Sequence, residues 1–164
     1  MPVRAAEAKD AGAIVDLIRL LAVYEKEEAQ MKMTEEQFRK DGFEEPRRFH
    51  CFVAENDQGQ VVGYALYFFI YSTWEGVSMY LEDLFVRKEE RGKGYGMALV
   101  QAVVGEAQRN SCARLQWQVI DWNAPALEFY KNRMFARERM ETGDAKWINM
   151  IMGREEMAKF MASQ

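Results

Sequence analysis

The sequence predicts an α/β (α+β) fold, with a mixed central sheet, largely antiparallel, flanked by helices in a single domain over residues 1–164. Three observations carry that expectation. Helical stripes of apolar residues alternate with runs rich in β-branched and aromatic residues. The 164 residues suffice for one substantial core and are short for two, and no linker or internal repeat divides them. A strand-like run ending at Leu84-Phe85-Val86 passes through a glycine-spaced turn straight into an amphipathic stretch.

Taken in order, Val3 to Ala6 reads as a short first strand. Asp10 is placed to cap a helix whose stripe is Ile14, Leu17, Ile18, Leu21 and Tyr24. Thr34-Glu-Glu-Gln37 has capping-box spacing and opens a second, short helix that stops at Gly42. His50 to Glu55, a turn at Asn56-Asp-Gln-Gly59, and Val61 to Tyr71 form a hairpin, followed by a strand from Ser78 to Val86. The next helix, Met97 to Arg109, presents Met97, Leu99, Val100, Val103, Val104 and Ala107 to a sheet. A strand at Arg114 to Ile120 leads to Asp121-Trp-Asn123, where Asn123 can cap a helix that opens with Ala124-Pro125 and carries Leu127, Phe129 and Tyr130. One more strand is expected near Phe135 to Arg139 and a last one from Lys146 to Met152, ahead of a polar tail from Arg154.

Composition narrows the function. The chain is 49% hydrophobic and 29% charged, the proportions of an ordinary soluble protein. Its longest apolar run, Val61 to Tyr71, is too short and too punctuated to span a bilayer, and the N-terminus lacks a charged-then-apolar signal pattern, so no membrane partner and a cytoplasmic location are expected. A net charge of −4 argues against nucleic acid and leaves room for a cationic substrate. Cys51 and Cys112 lack metal-ligand spacing and read as reduced and buried, and with His50 the only histidine no metal site is expected. His50 itself suits a strand-edge hydrogen bond better than proton chemistry.

The glycine-spaced turn is the most informative stretch. Gly92, Gly94 and Gly96 can take up positive φ and let a ligand approach the main chain, while the unpaired N–H groups of the first helical turn face it. Arg91 and Lys93 add positive charge at the same mouth, beside Tyr95. No Lys-Ser or Lys-Thr follows, which speaks against a nucleoside triphosphate loop. The dinucleotide fingerprint fails too, because its third glycine would fall on Met97. An ordinary surface turn is the plain alternative. The pattern Arg91-x-x-Gly94-x-Gly96 after Leu84-Phe85-Val86 resembles the acetyl-coenzyme A signature of the GNAT N-acetyltransferases.

The likeness spreads along the chain. Tyr24-Glu25, Asp41-Gly42-Phe43, His50-Cys51-x-Val53-Ala54-Glu55, Val62-Gly63-Tyr64, Tyr71-Ser-Thr-Trp74, Tyr80-Leu-Glu-Asp83, Asp121-Trp-Asn123 and Phe129-Tyr130-Lys131 occur in register. Together they resemble the spermidine/spermine acetyltransferase family, which includes a thialysine acetyltransferase branch. Polyamine-acetylating members carry Asp-Pro before the tryptophan, whereas Ser72-Thr73-Trp74 resembles the thialysine branch and lacks that carboxylate. The choice between spermidine and a lysine analogue stays open, with a lean toward the latter. Met134 stands where the family usually has glycine.

The resemblance implies acetyl-coenzyme A as co-substrate, a small cationic amine as acceptor, direct attack in a ternary complex, and a homodimer. It also implies roles. An alkyl ammonium with a pKa of about 10.4 must lose its proton before attack, which costs about 4 to 5 kcal/mol at neutral pH. Glu82 is the candidate base, acting through a water, or else a fixed partner for the substrate's second cation. Asp83 should point to the opposite face unless a bulge intervenes. Tyr130 is the candidate acid for the departing thiolate, or else a packing residue with a wet hydroxyl. Backbone N–H groups around Leu84, Phe85 and Val86, with Asn123 beyond them, are expected along the cofactor's path. Tyr24, Glu25, Trp74 and Asp83 are the candidates for holding the amine. A protein or peptide amine as acceptor, or a non-catalytic acyl-coenzyme A sensor, are the competing readings.

Overall fold

The computed structural model of the protein describes residues 3–138 and 149–163. Its elements in chain order are β1 (Val3–Ala5), α1 (Ala11–Glu25), α2 (Glu35–Phe43), β2 (His50–Glu55), β3 (Val61–Ser72), β4 (Gly76–Val86), α3 (Tyr95–Arg109) and β5 (Leu115–Gln116). The strands lie in sequence order in one sheet, antiparallel except for the parallel pair β4 and β5. Mixed pairing at that one edge follows from α3, which carries the chain back across the sheet before β5. These elements form one compact unit, residues 1–118. A second unit, residues 119–164, holds α4 (Ala124–Glu128), a π-helical turn at Phe129–Arg133 and α5 (Arg154–Ala162).

Alternation along the strands gives the sheet two apolar faces. One face, with Cys51, Val53, Tyr64, Leu66 and Phe85, packs against Ala11, Ile14, Val15 and Leu17 of α1 and Phe38 of α2. On the other, Ala54, Val62, Ala65, Tyr67, Met79 and Leu81 pack against Tyr95, Leu99, Val103 and Ala107 of α3. The β2–β3 turn is locked by Asn56, whose Oδ1 accepts from the amides of Gln58 and Gln60, both at 3.0 Å. Thr34 caps α2 as expected, accepting from the Gln37 amide at 3.2 Å.

Several expectations need correction. Asp10 does not cap α1. Arg4 takes both of its carboxylate oxygens at 2.7 and 2.9 Å while the Glu7 amide donates to it at 2.8 Å, so a charged fork outcompetes the helix amides. The helix α2 runs through Gly42 to Phe43, and the Phe49 ring lies where a Cβ at Gly42 would stand, so this glycine makes room for a ring rather than ending the helix. The strand β4 begins at Gly76, and α3 begins at Tyr95, two residues before the first apolar stripe position. The strand expected at Arg114 to Ile120 is paired only over Leu115–Gln116, opposite Met79 and Tyr80. Phe135 to Glu138 are not a strand, and Phe135 sits at φ 56. Arg139 and residues 146–148 of the last expected strand lie outside the described residues, and Asn149 to Met152 are not a strand. From Arg154 the chain is helical rather than a polar tail. Both cysteines are free, Cys51 buried and Cys112 half-buried.

Candidate active site

The C-terminal half of β4 departs from simple alternation. Leu66 pairs with Asp83 and Tyr67 with Leu81, so Glu82 has no partner across the ladder and forms a bulge. Leu81 packs on the α3 side, as do Leu84 and Val86, whereas Phe85 packs on the α1 side. The extra residue therefore moves Asp83 onto the α1 face, the case allowed for in the sequence reading. Glu82 is exposed and Asp83 half-buried. The Tyr64 hydroxyl, at the centre of the α1-side core, donates to Asp83 Oδ2 at 2.9 Å. Burial pushes the Asp83 carboxyl up to about 6, and the Tyr64 hydrogen bond works against that rise. Sequence reasoning passed over Tyr64. Its signal was a phenol set among apolar neighbours in Val61–Tyr71, since a buried tyrosine hydroxyl wants an acceptor.

Beyond β4 the chain makes a 3₁₀ turn at Lys88–Glu90 and enters the glycine loop. Gly92 and Gly94 adopt φ 79 and 91, the left-handed conformation expected of them. Gly96 does not, being already inside the first turn of α3. The first intrahelical bond runs from the Ala98 amide to the Gly94 carbonyl at 3.0 Å. Among the described residues no acceptor takes the N–H groups of residues 92–97, which leaves a run of donors at a positive helix end. The Arg91 Nε donates to the Val86 carbonyl at 3.0 Å, and the guanidinium lies 5.3 Å from the Tyr24 ring centre and 5.6 Å from that of Phe85. Lys93 is paired with Glu90 at 2.7 Å. A shallow depression of about 310 Å³, lined by Asn56, Asp57, Gln58, Glu90, Lys93 and Tyr95, lies beside the loop.

The edge of β4 toward β5 completes the arrangement. Pairing with β5 ends at Tyr80, so among the described residues no strand covers that edge alongside Leu84, Phe85 and Val86. An extended ligand with amide groups can bond there while its anionic end reaches the loop. The residues fit a pantetheine-diphosphate ligand of the acetyl-coenzyme A type on both counts, open ladder edge and bare amides.

Tyr24 and Glu25 close the last turn of α1 and are half-buried. Burial raises the Glu25 carboxyl from its usual value, helped by the nearby charge of Glu27. Glu25 and Glu82 both bear electrostatically on Asp83, so these three candidates are brought together. Trp74 is not. It stands 83% exposed in the β3–β4 turn, where Ser72 Oγ accepts from its amide at 3.3 Å. About 20 Å of strand separates Gly76 from Glu82 at roughly 3.3 Å per residue.

In the second unit Asn123 performs its expected capping, accepting from the Ala126 amide at 3.3 Å, with Pro125 in the first turn. The helix then widens into the π-helical turn that carries Phe129 and Tyr130, whose rings meet edge to face at 5.7 Å. A single-turn π-bulge re-aims side chains and is common at functional sites.

Comparisons with known proteins agree with this geometry. The model of the acetyltransferase (GNAT) family matches residues 14–135. Thialysine N-epsilon-acetyltransferase of Mus musculus is 44% identical over 162 residues, covering 94% of each chain. Its Bos taurus counterpart is 46% identical over 136 residues, 79% of this chain and 80% of that protein. Spermidine/spermine N(1)-acetyltransferase-like protein 1 of Homo sapiens is 32% identical over 161 residues, 94% of this chain but 23% of that longer protein. Among solved structures, an integron cassette protein from the mobile metagenome of V. cholerae superimposes with a TM-score of 0.72 at 22% identity, covering 98% of this chain and 96% of that one. A ribosomal-protein-alanine N-acetyltransferase of Brucella melitensis does so with 0.65 at 19%, over 93% and 99%. At such identities these two likenesses speak for the fold.

Proposed function

The chain belongs to the acetyltransferase (GNAT) family, and on that premise we propose that it acetylates the terminal amine of a lysine-like substrate of the thialysine class. It is an acetyl-coenzyme A dependent amine N-acetyltransferase. The observation that carries the finer reading is the β4 bulge, which sets Glu82 and Asp83 side by side next to an open strand edge and within the field of Glu25. Three carboxylates around one mouth suit a cation, and Ser72-Thr73 before Trp74 supplies no further carboxylate for a distant second ammonium. A polyamine of the spermidine class is the second reading, favoured by the same concentration of negative charge.

Bound acetyl-coenzyme A supplies the activated acetyl group. The amides of residues 92–97 and the Arg91 guanidinium would hold its diphosphate, with Lys93 and Tyr95 alongside, and the edge at Leu84, Phe85 and Val86 would hold the pantetheine arm and polarise the thioester carbonyl. Tyr24 and Glu25 would receive the amine, and Glu82 would relay the ammonium proton through water, while Trp74 in the β3–β4 turn stands too far along the hairpin to touch the same nitrogen. Tyr130 would return a proton to the departing thiolate, and Asn123 holds the turn that presents it. No acyl-enzyme is needed, because burial pushes the Cys51 thiol far above the range in which it would act as a nucleophile. This reading takes the enzyme as a cytoplasmic homodimer of one acetyltransferase domain per chain. Met150 and Ile151, 86% and 92% exposed, are apolar surface for a second copy, and no described helix is long and apolar enough to cross a membrane.

A thiol-release assay with thialysine, spermidine and lysine-bearing peptides tests it. Thialysine should turn over fastest, and Tyr130→Phe should lower kcat by about 100-fold or more while coenzyme A still binds. Faster turnover of the peptides, or an unimpaired Tyr130→Phe, would overturn the assignment.

A further inference from the structure

Tyr64 occupies a place where a wholly apolar ring would pack as well. It is 0% exposed, lies among Val53, Leu66 and Phe85, and is the side chain that reaches Asp83. The two meet only because of the bulge. With Glu82 left out of the ladder, Asp83 stands opposite Leu66 and shares the α1 face with Tyr64, instead of continuing the α3 face of Met79 and Leu81.

The surroundings of Asp83 are one-sided. The titratable groups that face it are Glu25 from α1, Cys51 from β2, Tyr64 from β3, and Tyr80 and Glu82 from β4 itself. No lysine or arginine among the described residues forms an ion pair with it, and the Tyr64 hydroxyl is the hydrogen-bond donor it has. That bond engages Oδ2 and leaves Oδ1 for another donor. A carboxylate so placed, short of positive charge and anchored at one oxygen, is built to meet a cation.

We propose that Tyr64 is a positioning residue for the acceptor amine, its hydroxyl holding Asp83 ionised with Oδ1 turned to the incoming ammonium, so that Asp83 rather than Glu82 alone takes the proton. The proposal deepens the acetyl-transfer reading and rests on it. In the step, an N–H bond of the ammonium breaks and an O–H bond forms on Oδ1. The nitrogen lone pair so released attacks the thioester carbonyl, the carbon–sulfur bond breaks as the tetrahedral intermediate collapses, the amine's second N–H proton ends on the departing thiolate, and the proton on Asp83 passes to solvent before the next turnover. Tyr64 is not consumed or ionised, since burial holds its phenol well above the usual tyrosine range. Its contribution is to oppose the rise that burial imposes on Asp83, keeping that carboxyl mostly ionised at neutral pH yet basic enough to accept a proton.

The experiment compares the parent, Tyr64→Phe, Asp83→Asn and the double variant, with kcat recorded against pH at saturating acetyl-coenzyme A. A carboxyl-carbon NMR titration of Asp83 is run on the parent and Tyr64→Phe. The expected result is an acid limb shifted upward by roughly one pH unit in Tyr64→Phe, a matching rise in the Asp83 midpoint, and no additional shift from Tyr64→Phe in the Asp83→Asn background. An unmoved Asp83 midpoint, or a loss in Tyr64→Phe that is equal at every pH and persists beside Asp83→Asn, would show that Tyr64 only packs. A parent that acetylates no amine while the midpoint does move would instead overturn the acetyl-transfer reading.

Discussion

Asp83 makes stability and chemistry pull in opposite directions. Its usual value is 3.8 and burial lifts it to about 6, so the folded state holds the proton more tightly than the unfolded chain. Folding stability from this group is therefore greatest below the unfolded value, falls as pH rises from about 4 to about 6, and stays reduced above that, by at most about 3 kcal/mol. Asp83→Asn should raise the Tm at pH 8, lose that advantage near pH 4, and lower acetyl transfer; thermal melts at the two pH values check it. A melting difference that does not change with pH would mean the carboxyl is not the cause. Glu82 and Asp83 stand out in the sequence as candidates through the family resemblance. Tyr64 does not, because its partner depends on one unpaired residue in β4, and alternation read from a single sequence carries no mark of where a strand slips by one.

The strand, loop and helix around Gly92 were the most readable part of the chain, because left-handed backbone at Gly92 and Gly94 and an amphipathic α3 are local properties. Gly96 was misread for the same local reason: glycine permits positive φ but does not require it, and α3 had already begun. Open space around both Gly59 and Gly92 allows a clean comparison, since φ is 73 at one and 79 at the other and a Cβ would touch nothing within 4 Å at either. Gly59→Ala and Gly92→Ala should each cost about 1 kcal/mol of stability through backbone strain alone. Titration calorimetry should then find acetyl-coenzyme A binding weakened only in Gly92→Ala. Equal affinities in the two variants would separate the loop from the diphosphate. The truncated β5 had no such local signal, for its length is decided by where β4 stops offering a regular edge.

Across the molecule, one charged cluster joins distant stretches. Arg4 of β1 bonds Asp10 before α1 and Glu55 at the end of β2, with Asp10 only 5% exposed. The guanidinium holds the Asp10 carboxyl below its usual range, so this contribution is present above about pH 4 and is lost as pH falls through the lowered value. Asp10→Asn should destabilise the protein by about 1 to 3 kcal/mol at neutral pH and flatten its loss of stability in acid, as urea unfolding across pH would record. Undiminished acid sensitivity would assign that loss to other carboxylates. Fold class and the order of elements through α4 were readable because they rest on periodicity. The role of Asp10 was misassigned because an arginine six residues away in sequence competed for it.

Removing one amino acid from a strand ordinarily turns everything after it inside out. Glu82 is an exception: without it, Leu81, Asp83, Leu84, Phe85 and Val86 would already alternate toward the faces they now occupy. A chain lacking that codon should still fold, with an intact glycine loop and a flatter sheet, and should be a poor catalyst. The alternation of β4 can do without the eighty-second residue, so its insertion bears on the acetyl-transfer reading rather than on how the sheet holds together.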